Sequence, residues 1–307
     1  MNVKKARKTL KRFWPLYLMF IPGVIYLFIN CYIPMFGIQI AFRQYNARDG
    51  VYGSPWVGID NFKFLFRTKD AWVMIRNTLL YNLVFIVLGT VLAIIVAIIL
   101  NEVRNKAAKQ AYQTIILIPY LISMVIVSYL AFAFLSSSNG YINNSILPAF
   151  GAKPIDWYNQ SKYWPFILVI INLWKGLGYN MILYYSTICG IDSTLYEAAV
   201  VDGATRWQQV KNITLPGLKS TIVILTLMAL GGIFRSDFGL FYQVTQNSGP
   251  IINVTQTIDT YVYRGLMQTN NIGMSSAAGV YQSVVGFVLV VTANFVVRKV
   301  DSESSLF

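Results

Sequence analysis

Three ionisable side chains, Lys175, Arg235 and Asp237, stand in stretches of sequence that are otherwise apolar. A charge at the centre of a membrane-spanning helix costs about 2.5–3.5 kcal/mol on insertion scales, so its presence points to pairing or to a path for a polar solute. Covalent chemistry has little to work with. The chain has no histidine and two cysteines, which removes most metal sites, every Ser-His or Cys-His nucleophile pair and the HExxH pattern. No GxxxxGK[ST] occurs, so a phosphate-cradling loop, if one is needed, belongs to a partner. The 12 acidic residues are mostly scattered over loops, and no pair has a spacing suited to general acid/base work. A membrane enzyme would need a nucleophile, a base and oxyanion donors, and no such constellation is present.

The elements that must hold these residues are read from the charge-free intervals. No charge lies between Arg12 and Arg43, Arg76 and Glu102, Lys109 and Lys153, or Arg264 and Arg298. Crossing about 30 Å of hydrocarbon takes roughly 20 apolar residues in a helix, because lipid offers no partner to unpaired backbone groups. Two further runs, 163–187 and 218–240, are apolar but carry Lys175, and Arg235 with Asp237. Six transmembrane helices are therefore predicted in an all-α integral membrane protein. At 307 residues, 56% hydrophobic and 12% charged, the chain is far from the roughly 25% charge of soluble domains. Its net charge of +13 is distributed between spans, which points to membrane lipid and not to nucleic acid.

Lysine and arginine set the orientation. With the N-terminus inside, the cytoplasmic side receives the cluster from Lys4 to Arg12, then Arg104, Lys106, Lys109, Arg206, Lys211, Lys219, Arg298 and Lys299. The other side receives fewer cations over longer loops. Both termini are predicted in the cytoplasm: 1–13 as a basic N-terminus, 14–298 as the six-helix domain and 299–307 as a C-terminal tail. The apolar run after Arg12 is longer than the roughly 7–15 residues of a signal core and has no small-residue cleavage site, so it reads as a retained span. Cys31 and Cys189 are predicted on opposite sides of the bilayer, which excludes a mutual disulfide.

The connection 191–218 is the most informative. Thr194 and Glu197 have capping-box spacing and would start a short helix. Gly203 would end it, and Pro216 would open the next span, where a missing N–H is tolerated. Glu197, Ala198, Ala199, Asp202, Gly203 and Ala204, followed by Ile213, Leu215 and Pro216, resemble the EAA loop of ABC importer permeases, a cytoplasmic coupling helix that docks on an ATPase subunit. Val210 stands where that family often has phenylalanine, and Ser220 where it often has a second proline. Trp56–Phe62, Tyr242–Thr245 before Gly249 and Pro250, Tyr261–Arg264 and Gly273–Ala277 resemble loop segments of sugar-type permeases. Trp14–Met19 with Tyr32–Met35 is similar to the group handling complex or acidic oligosaccharides.

That resemblance implies a type I ABC importer permease fold in a bacterial plasma membrane, with multiple passes. It implies a second and related permease chain, two ATP-binding subunits that hold ATP and magnesium, and an extracytoplasmic solute-binding protein docking on loops 43–75, 136–162 and 242–276. The chain itself would bind no cofactor and no metal. An oligosaccharide path calls for aromatic faces and amide or hydroxyl groups; Asn180, Tyr184, Tyr185, Phe238, Phe241, Tyr242, Tyr281 and Gln282 supply them, with Lys175, Arg235 and Asp237 as the charged candidates. If Lys175 and Arg235 face a cavity, they suit an anionic group such as a uronate. The competing reading of each aromatic is an interfacial belt, and of each amide a bond to a neighbouring helix. A secondary active transporter working without an ATPase is the alternative function; it would normally show inverted repeats, and no internal repeat is evident.

Overall fold

A computed structural model describes residues 3–300. All its regular elements are helical. Helix α1 (Val3–Leu27) runs through a π turn (Phe28–Tyr32) into a 3-10 stretch (Ile33–Phe42). After a short outer helix α2 (Asp60–Arg67) comes α3 (Lys69–Glu102), then α4 (Lys106–Leu121), α5 (Met124–Leu135) and α6 (Trp164–Cys189). Helix α7 (Ser193–Val201) precedes α8 (Arg206–Gly231), α9 (Ile258–Met267) and α10 (Ile272–Val300). Residues 1–2 and 301–307, which include most of the C-terminal tail expected at 299–307, lie outside the described residues.

Among the described residues, five helices are long and apolar enough to cross a bilayer, and the remaining expected span is broken: α4 and α5 meet at 93° across residues 122–123. The expectation of one continuous third span is corrected by local chemistry. Pro119 cannot continue the hydrogen-bond ladder, and the Ser123 hydroxyl accepts from the Ile126 N–H at 3.4 Å, capping a new helix. The fifth span also departs from the expected 218–240, because α8 stops at Gly231 and residues 232–237 are irregular.

Helix α3 packs along α6, and α4 packs on α6 as well. On α3 the buried positions Ala71, Met74, Thr78, Tyr81, Gly89, Ala93, Ala97 and Leu100 recur at helical spacing on one face. The small residues among them let backbones approach closely, the usual source of helix association in lipid. Gly178 of α6 lies against the Ile116 carbonyl of α4, where a Cβ would collide. Helix α10 packs against α8, α9, α2 and the 33–42 stretch. By contrast, the apolar residues of α1 from Phe13 to Phe28 are exposed within this chain.

Candidate functional site

The loop 191–218 holds its short helix differently at the two ends. Helix α7 begins two residues earlier than the Thr194 and Glu197 spacing predicts. Asp192 is the N-cap, accepting from the Thr194 N–H at 3.0 Å, and bonds from Thr194 hold the Asp192 carboxyl below the usual carboxylate range. Thr194 is thus inside the first turn, and Glu197 is exposed with no capping bond. The capping box of this loop is instead at Thr205 and Gln208, where the Gln208 side chain accepts from the Thr205 N–H at 2.7 Å and the Thr205 hydroxyl accepts from the Gln208 N–H at 3.4 Å.

The far end follows the expectation for Gly203. Its φ is +74°, the Ala204 N–H reaches the Ala199 carbonyl at 2.8 Å and the Gly203 N–H reaches that of Val200 at 3.1 Å. This is the Schellman arrangement, which needs a left-handed residue at that position. Space is open around Gly203, so the constraint is on the backbone angle.

Pro216 does not open the next span, contrary to expectation. Helix α8 starts at Arg206 and passes through a π turn, Val210–Thr214, before Leu215 and Pro216. The Leu215 N–H bonds back to Val210, and the widened turn sits directly before the residue that lacks an N–H. The Tyr196 hydroxyl meets that of Thr214 at 2.9 Å, and Ile191 covers Gly217, so α7 is tied to the start of α8. Its outward side remains uncovered. Ala198, Asp202, Leu215 and Pro216 are exposed, Ala199, Ala204 and Ile213 half-buried, while Val201 and Trp207 stand 87% and 72% exposed. Contiguous exposed apolar residues of this kind are a common mark of interaction surfaces.

No ion pair joins the charged candidates among the described residues. Lys175 does not face an open cavity with a free ammonium: Nζ donates to the carbonyls of Ile122 at 2.6 Å, Tyr120 at 3.0 Å and Pro119 at 3.4 Å. An ammonium has three donors, so these carbonyls at the broken end of α4 account for all of them, and a cation is favourable at a helix C-terminus. Arg235 and Asp237 are exposed in the irregular 232–237 segment. Asp237 accepts from the Leu240 N–H at 3.1 Å and so caps the turn that follows.

Tyr184 is buried among Ala93, Ala97 and Leu100, and Phe241 is buried edge-on to Tyr81 at 5.0 Å. Asn180 lines a narrow cleft with Phe85, Gly89 and Asn172. Lys109 lies over the Tyr185 ring, 5.7 Å away. Tyr281 meets Phe66 edge-on at 5.1 Å. Phe238, Tyr242 and Tyr263 form a ring cluster with centroids 4.7 to 4.9 Å apart.

Residues absent from the sequence-based site, joined by Gln282 from that site, hold the 232–260 segment together. Asn82 of α3 donates to the Ile233 and Arg235 carbonyls at 2.8 and 2.9 Å. Asn77 donates to those of Gln256 and Asn253 at 2.9 and 3.2 Å, and the Thr78 hydroxyl accepts from the Ile258 N–H at 3.1 Å. Asp259 accepts from the Ser236 hydroxyl at 2.8 Å and its N–H at 2.6 Å. Gln282 donates to Asp259 at 3.2 Å and to the Phe234 carbonyl at 2.6 Å. Irregular backbone at depth is tolerated when protein groups replace its lost hydrogen bonds. The available signal was Asn77 and Asn82, two amides at the start of the charge-free interval after Arg76.

Residues 89–302 match the family described as binding-protein-dependent transport system inner membrane component. The chain is 35% identical to LplB of Bacillus subtilis over 96% of its own length and 92% of that protein. It is also 35% identical to the polygalacturonan/rhamnogalacturonan transport system permease protein YteP of the same organism, over 94% and 89% of the two chains. Among solved structures, a bacterial ABC transporter involved in import of the acidic polysaccharide alginate superposes with a TM-score of 0.88 at 36% identity, covering 97% of this chain and 99% of that one. The alginate transporter in complex with an alginate pentasaccharide-bound periplasmic protein gives 0.86, also at 36% identity.

Proposed function

Because the chain belongs to the family of binding-protein-dependent transport system inner membrane components, we propose that its α7 segment receives the stroke of a separate ATPase and transmits it to α8. The protein is a membrane-embedded permease subunit of a carbohydrate ABC importer with the type I permease fold, a transport component and not an enzyme. In the proposed assembly it sits in a bacterial plasma membrane, both termini in the cytoplasm, beside a second permease chain. Two ATP-binding subunits, which hold the nucleotide and magnesium, lie below, and a solute-binding protein delivers an oligosaccharide from outside. Relatives that carry polygalacturonan and alginate support an acidic cargo.

The observation that carries this reading is the form of α7. Its end is fixed by the Gly203 Schellman turn, and its side chains tie to the root of α8 through Tyr196 and Ile191. The apolar lip formed by Leu195, Val200 and Val201, with Trp207 from the start of α8, stands exposed among the described residues. A force applied there moves α8 as a lever, switching the bundle between inward-open and outward-open packings. The purified chain alone is expected to accumulate no sugar under an ion gradient, whereas the complex with its ATP-binding partner is expected to do so with ATP. Exchanging Gly203 for valine forces a β-branched residue into the left-handed region, and should leave insertion intact while uncoupling ATP hydrolysis from uptake. Accumulation by the isolated chain, as a secondary carrier would achieve, overturns the proposal.

A further inference from the structure

The cluster of Phe238, Tyr242 and Tyr263 adjoins the one guanidinium of α9, that of Arg264. Arg264 is half-buried, and its two recorded side-chain partners are both neutral: the Asn247 side-chain oxygen at 2.9 Å and the Thr260 hydroxyl at 3.1 Å. It makes no ion pair among the described residues; Asp70 acts on it only from a distance. Burial pulls its pKa down from the ordinary arginine value, although a guanidinium stays charged in any case. Five N–H donors are fixed in a planar fork. Two are taken by the neutral partners, and Nε is not among the buried side-chain nitrogens left without a partner.

Its position is built. Asn247 has φ +48° and its N–H bonds to the Tyr242 carbonyl at 3.0 Å. Asn247 therefore holds Arg264 near Tyr242, which acts on the guanidinium electrostatically, while supplying it no carboxylate. Gln268 reaches the Tyr242 hydroxyl at 3.5 Å and adds an amide on the same side. Flat aromatic faces suit the apolar faces of sugar rings, and an arginine fork matches a carboxylate with two parallel bonds. Lys175, the other cation weighed for this role, has its donors filled by carbonyls.

We infer that Arg264, positioned by Asn247 and Thr260 beside Phe238, Tyr242 and Tyr263, forms a subsite that takes the carboxylate of a uronate residue in the transported oligosaccharide. This rests on the permease reading above and adds a specific contact to it. The complex, purified with its partner chains and reconstituted in vesicles, is assayed for ATP-driven uptake of radiolabelled tri-galacturonate and tri-mannuronate and of their carboxyl-reduced counterparts. Asn247→Asp is the decisive variant. It keeps an acceptor oxygen on Arg264 and a residue that tolerates the left-handed region, yet it supplies the guanidinium with an internal carboxylate.

Asn247→Asp is expected to lower uptake of the acidic trisaccharides roughly tenfold or more, the loss of one charge-assisted hydrogen bond to the cargo, with an unchanged thermal midpoint. Arg264→Gln should do the same, and Arg264→Lys should keep part of the uptake. Wild-type uptake of acidic cargo by Asn247→Asp, or equal loss of acidic and reduced cargo in Arg264→Gln, overturns the subsite and assigns Arg264 to clamping the 245–248 turn. A wild-type complex that takes up only the reduced sugars also overturns it. Failure of the wild type to take up any sugar with ATP strikes the permease reading instead.

Discussion

The loop 191–218, expected on the inner side, and the segment 232–260, expected on the outer side, both interrupt the run of long helices, and they are finished in opposite ways. The outer segment closes on itself. Its carbonyls and N–H groups are met by Asn77, Thr78 and Asn82 from α3, and its side chains by one another around Asp259. The inner loop satisfies its own backbone locally, through Asp192, the Gly203 turn and the Thr205 box, and leaves its apolar side chains in the open. Polar groups in lipid must be paired within the protein, so the outer break is a folding requirement. Apolar groups in water can stay uncovered without breaking the fold, so the lip is free to serve the assembly role proposed above.

Breaking the outer side should therefore be costly to the chain itself. Asn82→Ala leaves the Ile233 and Arg235 carbonyls without this donor and is expected to cost about 2 kcal/mol or more, from unsatisfied buried acceptors. A lowered thermal midpoint of the detergent-solubilised protein checks this; an unchanged midpoint would mean that water already serves the break. Lys175→Met tests the other break. It uncovers the α4 carbonyls but also removes a charge from the membrane, so the net loss should be smaller, about 1–2 kcal/mol. Because the Lys175 donors are directed at carbonyls, uptake of acidic and neutral cargo should fall alike; selective loss of acidic cargo would return Lys175 to the path.

The inner side should show the reverse pattern. Val201→Asp places a charge on a residue that is 87% exposed, and its effect on the stability of the isolated chain should be within about 0.5 kcal/mol. The same change should abolish co-purification of the ATP-binding partner. Intact assembly would show that the lip is not the contact.

The two regions also differ in how far the sequence disclosed them. Gly203 was legible because a helix stop is decided within a few residues. The neighbouring start was misplaced because both Asp192 and Thr194 are good caps, and only the geometry shows that the earlier one is used. Six spans follow from apolar length alone, but that measure is blind to a bend inside an apolar run, so the break at residues 122–123 went unseen. Its signals were Pro119, Ser123 and a lysine 52 residues beyond Ser123 in another helix. The α3 asparagines escaped for the same reason: their partners are more than 150 positions along the chain, and only packing brings them together.

The pairing of Asn82 with residues 233 and 235 spans more than 150 positions of sequence. During biogenesis, α3 and α8 can each enter the bilayer as separate helices, but the segment beyond Gly231 has no satisfied conformation in lipid until α3 lies beside it. Its maturation must therefore follow lateral association of these two helices. A nascent chain arrested after α8 but prevented from bringing α3 alongside would expose the unfinished turn to quality-control proteases.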